Sequence, residues 1–423
     1  MKSGSKKRQV TIYMDDWQCA PGSGGHLRLR SNVTAFHDLG WSVEVVRLEK
    51  ATAPIPEWAR ACGVEWVSEA GESVPGGMAN VLGRIQYRLG IPGEAACGYY
   101  FPKHRATREA VARRRGQGRL HVLEGIQIAN AQPFLGGEAV IFSHHDIWHE
   151  ASTAALAAQL EVEGRGLQKA EERELRFLRD VETRLCRTSR QILTISARDC
   201  AVLQREGWRQ AEYLPMSIAE SGPLTRRIDP SAPLRILHLG RIAHLPSYRS
   251  LEYLLQHVFP LLSPETLERL RVRVVGKLEA GNPRAERILQ LSQSYAEQVE
   301  FAGFITSLEA EFSGNDVQIV AATAASGLQT RIVESMAMGL PVLASELAAQ
   351  GLENPRNGES LLIARSAAEF AEAIADLATN RNRIRELSAG GRGYYEQNHS
   401  RKQVAERLRT HLFRISADFP QVS

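Results

Sequence analysis

The residues most able to do chemistry lie between Ala325 and Ser345, where Gly327-Leu-Gln-Thr-Arg331 is followed by Glu334-Ser-Met-Ala-Met-Gly-Leu-Pro-Val342. The spacing predicts a small-residue loop, a helix over 328–338, a stop at Gly339 and a short strand over 341–344. The first amides of such a helix have no intrahelical partner and attract an anion such as a phosphate. Gly327 lets a ligand approach the backbone, and Arg331 adds a full positive charge one turn in. Glu334 projects a turn further on, where a carboxylate can accept hydrogen bonds from a diol such as a ribose. Phosphate at the amides and ribose at the acid describe a nucleotide diphosphate laid along the helix end. A surface loop with solvated Arg and Glu satisfies the same spacing, and spacing alone leaves both readings open.

A second cluster, Ser143-His-His-Asp-Ile-Trp148, follows an apolar strand, so His144, His145 and Asp146 emerge at a strand's carboxyl end. A ligand contact, a plain polar turn and a buried structural histidine are all consistent with it. A metal site is disfavoured, because the run lacks the spacing of a known zinc motif. Gly24 and Gly25 close a turn-rich loop over 15–25 that would let backbone approach a diphosphate. The densest basic run is Arg113-Arg-Arg115, with Arg105, Arg108 and Arg119 nearby. It reads as a solvated helix face, with an anionic acceptor or a membrane surface as the alternatives.

The elements that must position these residues form two α/β halves. A strand over 9–14, a helix over 27–39 ending at Gly40 and a strand over 41–48 make one strand–loop–helix–strand unit. Strands over 120–123, 139–143 and 192–195 continue it, with a helix near 127–134 and a charged helical region over 154–187. A stretch without periodicity reads as a linker. The second half restarts with strands over 234–239, 271–275, 299–301 and 317–321 and helices over 248–262 and 279–294. Helices over 367–379 and 381–390 follow. The expected fold class is α/β, with two doubly wound Rossmann-like domains. The division is a tail 1–8, a first domain 9–215, a linker 216–232 and a second domain 233–395, with a C-terminal helix 396–415 packing back on the first.

Composition agrees. A chain of 423 residues is long for one core. A formal charge of +4 argues against a nucleic-acid module. Five cysteines (Cys19, Cys62, Cys97, Cys186 and Cys200) without CxxC spacing read as free thiols in a reducing compartment. The start is polar and basic, and no run approaches the roughly 20 apolar residues of a membrane span. The expected location is cytoplasmic, with peripheral contact at the inner face of the membrane as an open possibility.

The 327–342 segment resembles the nucleotide-sugar site of retaining glycosyltransferases of the GT-B fold (family 4-like, group 1 sugar transferases). Glu334 to Val342 fits the second half of their acidic motif. The first acidic position falls on Ser326, and Gly327-Leu-Gln-Thr-Arg331 is similar to a variant found in an exopolysaccharide-associated subgroup. Leu239-Gly-Arg241, Val274-Val-Gly276 and Val299-Glu-Phe-Ala-Gly303 are similar to further landmarks in the same order. The resemblance covers nearly the whole chain and implies two domains facing across a cleft.

It also implies that a sugar passes from a nucleotide-diphosphate sugar to a hydroxyl of a glycan, glycolipid or small molecule. Configuration is retained, without a cofactor or bound metal. Arg241 and Arg331 would stabilise the leaving group, Arg331 standing in for a lysine that this chain lacks. His145, or alternatively His144, would touch the donor sugar, and Asp146 would orient the acceptor hydroxyl or the histidine. Gly24, Gly25, Ser326, Gly327, Leu328, Gln329, Thr330 and Glu334 would line the donor site, and backbone at Phe304 and Ile305 would hold the base. The alternatives are a nucleotide-sugar epimerase, an inverting transferase on the same fold, and a catalytically weak nucleotide-sugar-binding partner protein.

Overall fold

β1 (Gln9–Met14) is buried from Val10 onward, as a central parallel strand covered on both faces must be. A computed structural model describes residues 8–15, 23–48, 54–68, 78–89, 91, 94–100, 104–218, 222, 224, 229–242, 245–305, 307–323 and 327–416. The expected tail 1–8 is described only at Arg8, and of the expected linker 219–221, 223 and 225–228 lie outside these residues, as does Ser326. The chain divides into two units, Met1–Ser217 with Arg401–Ser423, and Ile218–Ser400.

In the first unit β1 is joined by β2 (Ser42–Arg47), β3 (Glu65–Ser68), β4 (Leu120–Glu124), β5 (Ala139–His144), β6 (Gln191–Thr194) and β7 (Ala211–Tyr213). Among the described residues the sheet order is β3-β2-β1-β4-β5-β6-β7, all parallel. Alternation along β1 divides the core. Val10, Ile12 and Met14 pack with Val33 and Phe36 of the helix Gly24–Asp38, whereas Tyr13 packs on the opposite side with Phe142 and Phe177.

The helix Gly24–Asp38 starts earlier than its spacing predicts. Ser23 accepts a bond from His26 N at 3.1 Å, so the expected glycine loop is corrected at its end: Gly24 and Gly25 are the first turn of the helix. The charged region 154–187 is two helices, Trp148–Glu163 and Lys169–Thr188. Gly164 ends the first in the left-handed conformation (φ 63°), and a Gln168/Glu171 capping box starts the second. Residues Ile126–Phe134 form a 3-10 helix carrying Pro133.

The second unit contains β8 (Leu234–Leu239), β9 (Leu270–Val275), β10 (Val299–Gly303), β11 (Val317–Val320), β12 (Val342–Ser345) and β13 (Leu362–Ala364). Their order is β10-β9-β8-β11-β12-β13, again parallel. Its core gathers Ile236, Val272, Val274 and Ile319 under Leu251, Val258, Ile374 and Leu387. The expected helix 248–262 is α-helical over Leu245–Tyr253 and continues through a π turn at Leu254–Val258. The helix expected over 279–294 begins at Pro283, capped by Asn282.

The helix Arg401–Ser416 belongs to the first unit. Val404, Ala405, Leu408 and Leu412 are buried with Val33 and Phe36. Arg401 holds Asp38 through two bonds of 2.6 Å. Among the described residues no helix is long and apolar enough to cross a membrane.

Candidate functional site: two switch points

Each sheet reverses its strand order once, and in open α/β sheets ligands bind at that point, beyond the carboxyl ends of the strands. In the second unit the reversal lies between β8 and β11. β8 ends at Leu239 and is followed by Gly240 and Arg241, and β9 is followed by Gly276. A Cβ at Gly276 would lie 2.0 Å from the Gly240 carbonyl oxygen, so only glycine lets these two strand ends touch.

After β11 the described chain resumes at Gly327, in the left-handed region at φ 60°, and enters the helix Thr330–Ala337. That helix starts two residues later than the spacing predicts. Leu328 is buried and Gln329 is the N-cap, whose side chain makes no capping bond, so the first amides keep their polarity. Gly351 packs closely beneath, where a Cβ would meet the Gly327 carbonyl at 2.7 Å.

Arg331 ties this helix to the end of β8. Its guanidinium donates to the Leu239 carbonyl at 2.6 Å and to Gln329 Oε1 at 3.2 Å. Burial lowers its pKa, and the nearby Glu334 charge offsets part of that. Burial also pushes the Glu334 carboxyl up to about 7, against the pull of Arg331. No described residue donates a hydrogen bond to that carboxylate. Beneath them His238 is fully buried, 3.3 Å from Ser250 Oγ. Burial, with Arg331 adding to it, brings His238 down to about 3, so the ring is neutral and leaves Arg331 as the local cation.

Other expected members flank this cluster. The Arg241 side chain, at the end of β8, is 74% exposed and sits 3.6 Å from Glu279. Phe304 is 82% exposed, while Ile305 packs on the small cluster of Leu239 and Val275. Thr330 is half-buried at the helix start.

In the first unit the reversal lies between β1 and β4. Glu124, the last residue of β4, is fully buried and accepts a bond from His145 Nε2 at 2.9 Å and another from Asn32 Nδ2. Burial alone would raise the Glu124 pKa. The His145 hydrogen bond and charge, with Arg28 and Asn32, outweigh it and hold the value down. Arg28, also fully buried and lowered to about 10 by burial, donates to Ser143 Oγ at 3.2 Å and to the Leu214 carbonyl at 3.0 Å.

His144 turns to a different acid. Its Nε2 lies 2.8 Å from Glu182, which also takes His149 Nδ1 at 2.6 Å and the Trp148 amide at 2.9 Å. Burial would raise Glu182, but these bonds dominate and bring it to about 2. The two histidines therefore serve separate carboxylates, and their adjacency in sequence does not make a joint site. Asp146 is half-buried beside them.

Glu124, Glu182, Arg28 and His238 were missed by the sequence reading. Glu124 closes an apolar strand, and Glu182 falls four residues after Leu178 on the apolar face of its helix. Charges in those places are signals that could have found both acids. The basic run also needs correction. Arg114 is buried, and it and Arg119 both bind Glu44 at 2.7 Å, which Thr11 supports at 2.9 Å. Those two arginines hold β2 in the first unit and are not part of a solvated face.

Residues 233–380 match the family model described as "Glycosyl transferases group 1". No curated protein matches the sequence. Among solved structures the chain is similar to Anabaena Alr3699/HepE in complex with UDP (12% identity, 96% of this chain and 100% of that chain, TM-score 0.65). It is similar to the sucrose-phosphate synthase of Thermosynechococcus elongatus (15% identity, 98% and 100%, TM-score 0.69). It is also similar to TarM, which another structure assigns to S. aureus (8% identity, 97% and 99%, TM-score 0.68). The likeness extends over both of this chain's parallel sheets. The chain thus has the GT-B fold, and its residues 233–380 are similar to a group 1 glycosyltransferase domain.

Proposed function

We propose that this protein transfers a glycosyl group from a nucleotide-diphosphate sugar to a hydroxyl acceptor, with retention of configuration and without a bound metal. The observation that carries the reading is the start of the helix Thr330–Ala337. There an uncapped amide end, a cation and a carboxylate with no hydrogen-bond donor lie together at the switch point of the second sheet. The diphosphate sits at the amides beside Arg331, and the ribose hydroxyls donate to Glu334. A uracil base is the first to test, because HepE structures hold UDP and UDP-glucose.

In the reaction the acceptor oxygen bonds to the anomeric carbon on the face from which the diphosphate leaves. The anomeric C–O bond breaks, and the acceptor proton passes to the departing phosphate oxygen. Charge grows on that oxygen, and the helix amides and Arg331 would stabilise it. No protein base is needed in this route, which suits a chain with Ser326 at the first acidic position of the motif.

Calorimetric titration with UDP in chelator-treated buffer tests the donor half. Micromolar binding is expected, weakened by Arg331→Ala, and no binding of any nucleoside diphosphate would remove the reading. Proton NMR of the first product formed tests retention, since an inverted anomeric centre contradicts the front-face route.

A further inference from the structure

Two helices start at the switch point of the second sheet. Leu245–Tyr253 follows β8, and Thr330–Ala337 follows β11. Each sends one polar side chain to Gly240. A Cβ there would lie 2.2 Å from Ser247 Oγ and 3.2 Å from Arg331 Nη1. Ser247, in the first turn of its helix, is 2% exposed. The missing Cβ of Gly240 is what leaves room for its hydroxyl.

That hydroxyl is unused. Ser250, one turn along the same helix, lies 3.3 Å from His238 Nε2, whereas Ser247 Oγ makes no hydrogen bond among the described residues. A buried hydroxyl left unpaired is destabilising, so a ligand that pairs it is favoured. Its surroundings name the missing partner. The Arg331 guanidinium near it only donates, and it already holds the Leu239 carbonyl at 2.6 Å. The first amides of both helices are donors too. Pro246 has no amide to give, and the Ser247 hydroxyl supplies a donor in the turn that lacks one. Donors converging from two helix starts and a cation fit the oxygens of a phosphate.

We propose that Ser247 is a further ligand of the donor's diphosphate, its hydroxyl donating to an oxygen of the phosphate that carries the sugar. The inference rests on the nucleotide reading of this switch point given above. With the ribose at Glu334, the first phosphate lies at the amides of the helix Thr330–Ala337, and the second is left to face the helix Leu245–Tyr253. Charge grows on that second phosphate as the anomeric bond breaks, and a fixed hydroxyl donor stabilises it there.

The test is calorimetric titration of the full chain with UDP, GDP and ADP and with the matching monophosphates. For the diphosphate that the parent binds, Ser247→Ala should lower affinity about tenfold, while the monophosphate changes by less than about twofold. Without nucleotide this variant should melt at or above the parent's temperature, because the lost hydroxyl had no partner in the fold. Ser247→Cys keeps the shape with a weaker donor and should fall between the two. A diphosphate held equally by parent, Ser247→Ala and Ser247→Cys overturns the proposal and leaves the donor reading standing. Equal losses for diphosphate and monophosphate, with a lowered melting temperature, also overturn it, since they mark a packing role. A parent that binds no nucleoside diphosphate removes the donor reading itself, and this proposal with it.

Discussion

At the residue scale the second switch point rests on two opposed burial effects. Arg331 spends two donors on Leu239 and Gln329, so it is fixed before a ligand arrives. Arg331→Ala should weaken UDP by about 1.5–3 kcal/mol, read by calorimetry, because a hydrogen bond to a charged group is lost. Glu334 carries the pH dependence. Its folded value of about 7 lies above the ordinary 4.5, so the folded state holds the proton more tightly. Stability therefore falls as pH rises from 4.5 through about 7. Glu334→Gln should raise the melting temperature relative to the parent more at pH 8 than at pH 5. The parent's affinity for UDP should drop between pH 8 and pH 6 as the carboxylate is protonated, and the Gln variant should not show that drop. Glu182 behaves in the opposite way. Its value near 2 means that its stabilisation is present above 4.5 and is lost as pH falls toward 2. Glu182→Ala leaves His144 and His149 without their acid and should cost about 3–5 kcal/mol in urea denaturation at neutral pH.

At the element scale the strand ends matter most. β8 and β9 are followed by Gly240 and Gly276, whose backbones touch. Gly276→Ala forces a methyl into the Gly240 carbonyl at φ 154° and should lower the melting temperature by several degrees with loss of UDP binding. Gly314→Ala is the matched control, since a Cβ there meets nothing within 4 Å, and it should be close to neutral. Much of this level was legible. The apolar runs of β1, β8 and β9 and the Gly339 stop are local patterns that read directly from the residues. β3, β7 and β13 were not. They have four, three and three residues, too few for alternation to stand out from a loop.

At the scale of the whole molecule the chain's end completes its beginning. The helix Arg401–Ser416 supplies Leu408 and Leu412 to the core beside Val33 and Phe36. Leu408 is fully buried, and Leu408→Ala should cost about 2–5 kcal/mol by chemical denaturation. Removing residues after 400 should expose the apolar face of the helix Gly24–Asp38 and make the first unit aggregate, which light scattering would register. If the truncated chain melts at the parent's temperature, that helix is not part of the first core.

The sequence by itself determined the doubly wound α/β class, the cadence of strand, glycine turn and helix, and the loop, helix, glycine stop and strand of the Gly327–Val342 segment. Those features follow from propensity and from periods of 2 and 3.6, which neighbouring residues set among themselves. Only the tertiary structure decided that His144 and His145 answer to acids 38 and 21 residues away, and that Arg114 closes an internal ion pair. It also decided that Arg241 faces solvent while Arg331 is locked, and that Ser247 is buried against Gly240. Burial and ionic partnership depend on which distant segments pack together, and no local pattern of residue types carries that information.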